Sequence, residues 1–149
     1  MKSEALKLEI RLKKMCSMDE IYATYSLVRT LTPDMQRDEF IAIQDAMMKQ
    51  GYQCVGAYDQ HHKLRGLCGF WVTHRFYCGK ALRIDNVIVD HMCKGYGIGE
   101  ALMAFVEKEA KRIGACSMIL DAYAHSKESH EFYLRQEMQV IGVHFIKAL

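Results

Sequence analysis

One stretch, from Asn86 to Glu100, constrains this chain more than any other. Asn86-Val87-Ile88-Val89 reads as the end of a buried strand. Asp90-His91-Met92-Cys93-Lys94 then leads into Gly95-Tyr96-Gly97-Ile98-Gly99-Glu100. An amphipathic helix follows at once, predicted over Gly97 to Ile113. Ile98, Leu102, Phe105, Val106 and Ala110 form one stripe, Glu107, Lys108, Lys111 and Arg112 face away from it, and Gly114 ends it. A strand, a glycine-rich turn and a helix N-terminus together offer unpaired backbone N–H groups and the positive end of the helix dipole. That is a place for phosphate, and glycine lets a ligand come close to the backbone. The same spacing also serves as a tight connection that binds nothing, so spacing alone leaves both readings open.

Two nucleotide readings fail on particular residues. A P-loop ends in Gly-Lys-Ser/Thr, whereas here Gly97-Ile98-Gly99-Glu100 follows the lysine. A dinucleotide fingerprint needs G-x-G-x-x-G near the start of a doubly wound domain. Here the third glycine falls one position early, at Gly99, and the motif lies late in the chain.

The rest of the chain reads as follows. Leu8 to Lys13 alternates apolar and charged residues with a period of two, which predicts a strand. Ser17-Met18-Asp19-Glu20 is a capping-box signature that opens a helix to about Thr30, with Ile21, Tyr25 and Val28 on one face. Thr32-Pro33 interrupts the chain. A second helix is predicted from Arg37 to Lys49, with Phe40, Ile43 and Met47 inward, closed by Gln50-Gly51. Tyr52–Tyr58, Leu64–Thr73 and Ala81–Val89 read as hairpin-connected strands. Ser117–Ala122 reads as a buried strand, Ser126 as the cap of a helix through Glu137, and Gln139–Ala148 as a final strand. The fold class is α/β (α+β): a mixed, mostly antiparallel sheet flanked by helices, with a strand, turn and helix at 81–113.

At 149 residues, half of them hydrophobic and one a proline, residues 1–149 suit a single domain with its own core. The formal charge of +2 gives no reason to expect nucleic acid, and no apolar run is long enough to cross a membrane. Met1 to Leu8 lacks the pattern of a secretion signal, so a cytoplasmic protein is expected. The six cysteines (Cys16, Cys54, Cys68, Cys78, Cys93 and Cys116) show no C-x-x-C spacing. They read as reduced thiols, mostly in the core, and no metal is expected. Cys93, beside the turn, reads as a packed thiol or as a nucleophile.

Lys94-Gly95-Tyr96-Gly97-Ile98-Gly99 resembles the Arg/Gln-x-x-Gly-x-Gly/Ala motif of the GNAT superfamily of N-acetyltransferases. Leu120-Asp121, Ser126 and His130-Glu131-Phe132-Tyr133 resemble the family's later segment at matching intervals, and the predicted element order is similar over nearly the whole chain. The chain departs from the pattern at Lys94 (Arg or Gln is usual), His91 (Pro), Ser126 (Asn) and Gln136-Glu137-Met138 (Leu-Gly-Phe).

The resemblance implies acetyl-CoA as cosubstrate and an amine acceptor. The pyrophosphate would sit on the N–H groups of Gly95, Tyr96, Gly97, Ile98, Gly99 and Glu100 beside Lys94. The pantetheine arm would run along Val87-Ile88-Val89, with Ser126 and Phe132 also at the cofactor. A backbone N–H near Val89 would hold the oxyanion. The acceptor would enter beside the 30–35 connection and Phe70-Trp71. Tyr133 stands at the family's acid position, and Asp85 is the first choice of base, ahead of Asp121, Tyr123 and His125. His61-His62 reads as a turn, and His130 as a capping or packing residue. A homodimer, common in the family, stays open. A non-catalytic acyl-CoA-binding or regulatory domain, and a different nucleotide binder, are the rival functions.

Overall fold

The computed structural model describes residues 7–149. The reading of Met1 to Leu8 as lacking a leader lies, for residues 1–6, outside them. Strands β1 (Arg11–Lys14), β2 (Gln53–Tyr58), β3 (Leu64–Arg75), β4 (Gly79–Val89) and β5 (Ser117–Leu120) form one sheet in the order β1-β2-β3-β4-β5. The first three pairings are antiparallel, and β4 runs parallel to β5. Helices α1 (Met18–Tyr22), α2 (Tyr25–Leu31) and α3 (Arg37–Lys49) come before β2. Helix α4 (Ile98–Arg112) joins β4 to β5, and α5 (Lys127–Arg135) follows.

The two faces of the sheet carry separate cores. One packs Val55, Cys68, Phe70, Leu82 and Ile84 under Ile98, Leu102, Met103, Val106 and Ala110 of α4, with Phe132 and Tyr133 of α5 against its edge. The other packs Tyr52, Cys54, Leu67 and Ile88 with Ile21 and Leu27 of the first helices. Each large side chain fully buried this way contributes about 1.5–3 kcal/mol. The α4 stripe includes Met103, and Phe105 lies only half-buried at its margin.

Several elements depart from the sequence reading. The single helix expected from Ser17 to Thr30 is two. The capping box forms as predicted, with Glu20 N–H donating to Ser17 Oγ at 3.2 Å and Ser17 N–H to Glu20 Oε1 at 3.3 Å. The helix then breaks at Ala23 and Thr24. Buried Thr24 donates its hydroxyl to Ile21 O at 2.6 Å, so a side chain competes with the helical ladder. Helix α3 buries Phe40 and Gln44 rather than Phe40 and Ile43, because i and i+4 face the core and Ile43 turns to solvent. Strand β1 starts later than expected. Ahead of it the Gln60 side chain takes over, bonding Glu9 N–H at 3.2 Å and Lys7 O at 2.7 Å.

The largest difference is at the C-terminus, where residues 136–149 form no strand. Val140, Ile141, Val143, Phe145 and Ile146 are all more than two-thirds exposed. Alternation supplied a strand pattern, but a strand exists only when a neighbour takes up its N–H and C=O groups. Met138 still donates its N–H to Tyr133 O at 3.2 Å and packs on the core, and further on His144 Nδ1 lies 3.3 Å from Asp121 Oδ2.

Glu137 adopts the left-handed conformation, φ +63°, at the place where the resembling motif carries glycine. A non-glycine residue there costs about 1–2 kcal/mol, partly offset by the extra chain entropy of glycine. Glu137→Gly should therefore raise stability by about 0.5–1 kcal/mol, or roughly 2 °C in Tm for a chain of this size. Thermal unfolding followed by circular dichroism measures this, and a lower Tm would contradict the strain.

Candidate active site

The sheet opens along β4. Ladder pairs join Ala81–Ile84 to Ser117–Leu120, after which β5 ends. Strand β4 continues to Val89 and pairs only with β3, up to Gly66↔Val89. Among the described residues the β5-facing edge of residues 85–89 therefore has no strand partner, and an extended ligand can hydrogen-bond to it as one more strand. The opening begins at a bulge. Gly69 faces Asn86 and Phe70 faces Ile84, so Asp85 is the extra residue on β4. Gly69 has a reason of its own. The Tyr52 hydroxyl sits where a Cβ would go.

At the end of β4 a 3-10 turn, His91–Cys93, carries the chain into the glycines. Gly95 (φ +83°) and Gly97 (φ +77°) are left-handed, with open space where a Cβ would stand. Both conformations belong to glycine. Gly97 is the N-cap of α4, and the first amide used inside the helix is that of Ala101, which donates to Gly97 O at 3.0 Å. The amides of Ile98, Gly99 and Glu100 come before it and face outward without an internal acceptor. Open space, left-handed glycines and free amides at a helix N-terminus fit a diphosphate. Gly99 has a different reason: a Cβ there would meet the Phe132 ring at 3.2 Å. It lets α5 pack closely over the start of α4.

That contact places Phe132 beside the turn; its ring meets that of Tyr133 edge to face at 5.2 Å, and both pack against the core under α4. Burial, with a smaller contribution from the nearby Cys68 thiol, pushes the Tyr133 phenol up to about 12. Asp85 is exposed on the bulge and accepts from Asn86 Nδ2 at 3.3 Å. Arg83, its alternative partner, pairs instead with Asp121 at 2.9 Å, so Asp121 is engaged in an ion pair. Tyr123 stacks on His125 at 5.5 Å, and the His130 ring bonds Tyr123 O at 2.9 Å.

Ser126 stands at the N-cap position of α5 but caps no amide. Its hydroxyl bonds Ser129 Oγ at 2.7 Å. Lys94 lies 3.7 Å from Glu128, an exposed pair that leaves the ammonium at the rim of the turn. Cys93 is buried in the core, a packed thiol and not an accessible nucleophile. Cys54 and Cys68 are buried too, whereas Cys16 and Cys116 are exposed, so half of the six thiols are core rather than most. His61 and His62 belong to the β2–β3 loop. Among the described residues no group of three or more His, Cys, Asp or Glu could hold a metal, and no helix is long and apolar enough to cross a membrane.

Sequence reasoning missed the bulge, and with it the way Gly69 and Tyr52 shape the start of the opening. The signal was present as Gly69 beside Phe70, but a glycine within a strand has several uses.

The profile of the acetyltransferase (GNAT) family matches residues 17–138. The chain is 31% identical over 80 residues to an aminoalkylphosphonate N-acetyltransferase of Salmonella typhimurium. That alignment covers 54% of this chain, and the chain spans about half the length of this curated relative. Among solved structures it is similar to an aminoglycoside N-acetyltransferase in complex with CoA (TM-score 0.82, 14% identity, 96% of this chain and 97% of the other). It is also similar to a glucosamine-6-phosphate N-acetyltransferase from Arabidopsis thaliana (TM-score 0.74, 21% identity, 94% and 98%). A third is an acetyltransferase from Trypanosoma brucei (TM-score 0.77, 21% identity, 95% and 100%). At these identities the solved structures establish the shared fold. With the family profile matched from the capping box to the turn after α5, the chain belongs to the acetyltransferase (GNAT) family.

Proposed function

We propose that this chain, as one domain, is an acetyl-CoA-dependent N-acetyltransferase that passes the acetyl group directly to a primary amine of a small molecule, peptide or protein. The observation that carries the reading is the continuity of two unsatisfied backbone arrays. The free edge of β4 from residue 85 to 89 runs into the free amides of the turn, and Tyr133 packs against the same core as Val87 and Val89. An extended thiol arm ending in a diphosphate matches both arrays at once. Gly95 through Glu100 bind the diphosphate, with Lys94 at the rim. Val87, Ile88 and Val89 hold the arm, and Phe132 and Ser126 close the side nearest α5.

Acetyl-CoA supplies an activated acyl carbon and a thiolate leaving group. The acceptor nitrogen attacks the thioester carbon, the C–S bond breaks, and two protons move. Asp85, exposed on the bulge, takes the amine's proton directly or through water. Tyr133 donates to the departing sulfur. A phenol held at about 12 stays protonated at working pH, so the donor is always loaded. It is a weak acid toward an ordinary thiolate, but the burial that raises the phenol also raises the proton affinity of a thiolate leaving beside it.

The test is an acetylation screen over aminoalkylphosphonates, polyamines, aminoglycosides, amino acids and peptides, read by free-thiol release. Acetyl-CoA binding without acetylation of any amine favours the non-catalytic reading. ATP binding without CoA binding removes both. We also place the protein in the cytoplasm, which cell fractionation checks.

The homodimer is proposed on the exposed apolar segment from Val140 to Ile146. Light scattering at micromolar concentration should give twice the chain mass, and a double change of Phe145 and Ile146 to Asp should return it to one. A single-chain mass for the unaltered protein removes this part.

A further inference from the structure

Behind the phosphate turn lies a chain of ions that neither the opened sheet nor the acid and base use. Asp59 closes the β2–β3 loop. Its Oδ1 accepts from His61 N at 2.8 Å and Lys63 N at 3.0 Å, and its side chain is almost wholly buried. Its Oδ2 accepts from Arg65 Nε at 2.8 Å. A terminal nitrogen of the same guanidinium reaches Asp90 Oδ2 at 3.1 Å. Asp90 Oδ1 in turn accepts from Met92 N at 3.1 Å, and so pins the 3-10 turn that ends one residue before Lys94. The backbone repeats the link, with Asp90 N–H donating to Arg65 O at 2.7 Å. Arg65 therefore holds the residue that aims the glycine turn, while standing outside the turn itself.

A little-exposed guanidinium between two carboxylates is a poor source of stability, because desolvation offsets most of the attraction. It is a good source of direction. The planar fork can serve both carboxylates at fixed angles, which a lysine ammonium cannot. Hydrogen bonds from Arg65, joined by those from Lys63 and His61 N–H, hold the Asp59 carboxyl down to about 2 against its burial. The arrangement thus stays charged at any working pH.

We propose that Arg65, braced by Asp59, is a positioning residue. Through Asp90 it fixes the amides from Gly95 to Glu100 in the geometry that accepts the diphosphate of the donor. It thereby sets affinity for that part of the donor and for nothing else. The proposal rests on reading the turn as the diphosphate site.

The test compares acetyl-CoA with acetyl-pantetheine, which has the same thioester and arm but no diphosphate. Arg65→Met should raise the KM for acetyl-CoA about tenfold, with kcat and the acceptor KM within about twofold of the unaltered protein. It should leave kcat/KM for acetyl-pantetheine unchanged. Arg65→Lys should recover part of the loss. Asp59→Asn should shift the KM for acetyl-CoA in the same direction, and it carries the test if Arg65→Met does not fold. Equal losses with both donors would mean that Arg65 only holds the fold, and no loss with either would mean that it positions nothing; both overturn the proposal. Two controls separate this from the reading beneath it. The unaltered protein must prefer acetyl-CoA over acetyl-pantetheine, and Gly97→Glu must remove that preference. If the preference is absent, the diphosphate reading fails and this proposal fails with it. If it is present and survives every Arg65 and Asp59 change, only this proposal fails.

Discussion

Gly97→Glu should lower affinity for CoA at least about 100-fold while leaving the protein folded. Three contributions act in one direction. The residue is left-handed at φ +77°, a conformation that costs a side-chain-bearing residue about 1–2 kcal/mol, so a turn that relaxes away from it must be drawn back for the ligand to bind. The open space beyond its Cα is where the proposed diphosphate lies, so the new side chain competes for volume. Its carboxylate also stands against phosphate charge. Two like charges about 4 Å apart repel by a few kcal/mol at the effective dielectric of a protein surface. The free protein has less reason to suffer, because a negative charge at a helix N-terminus is favourable in the absence of ligand. Isothermal calorimetry with CoA, beside a melting curve, measures both halves. A dissociation constant within about threefold of the unaltered protein places the diphosphate elsewhere. Gly97→Ala separates the contributions, since it adds strain without charge and should lose far less.

Tyr133→Phe should reduce kcat by about 10²-fold and leave the dissociation constant for acetyl-CoA unchanged. The ring packs against Phe132 and the edge of the α4 core, and phenylalanine keeps that packing. What goes is one hydroxyl, the proposed proton donor. The pH profile gives an independent check. An acid is lost as pH rises through its pKa, and burial holds this phenol at about 12. Tyr133 should therefore add no alkaline fall in kcat below about pH 10. A fall centred between pH 8 and 9 that persists in Tyr133→Phe belongs to another group. Unchanged turnover in the variant removes Tyr133 from the chemistry.

The two tests differ in how much of their basis was legible in the residues. The glycine turn was legible because its requirements are local. Left-handed backbone at Gly95 and Gly97, and a stripe at 3.6-residue spacing from Ile98 onward, are written into neighbouring positions. The hairpins were legible for the same reason, since strand alternation and short polar loops need no distant partner. The placing of Tyr133 drew on the resemblance of Phe132-Tyr133 to a family segment. Only the structure showed that Phe132 against Gly99 is what seats α5 over the turn.

The failures were non-local, except at the break after Ala23, where the competing Thr24 hydroxyl and Ile21 O lie three residues apart. Whether Val140 to Ile146 becomes a strand depends on a neighbouring edge that no pattern in those residues specifies. Whether α1 continues past Ala23 depended on a buried hydroxyl choosing Ile21 O. Which face of α3 is inward depended on packing, which chose Gln44 over Ile43. The Asp85 bulge and the ion chain through Arg65 join residues 17 and 31 positions apart, from Gly69 to Asn86 and from Asp59 to Asp90.

By itself, then, the sequence determined the strand, glycine turn and helix on which the proposed diphosphate site is built, because backbone conformation and helix periodicity are set within a few residues. The tertiary structure alone decided that β5 stops at Leu120 and leaves β4 open, that α5 packs Phe132 over Gly99, and that Asp59, Arg65 and Asp90 are joined behind the turn. Those features arise from contacts between distant segments, and their energies exist only once the chain has closed on itself.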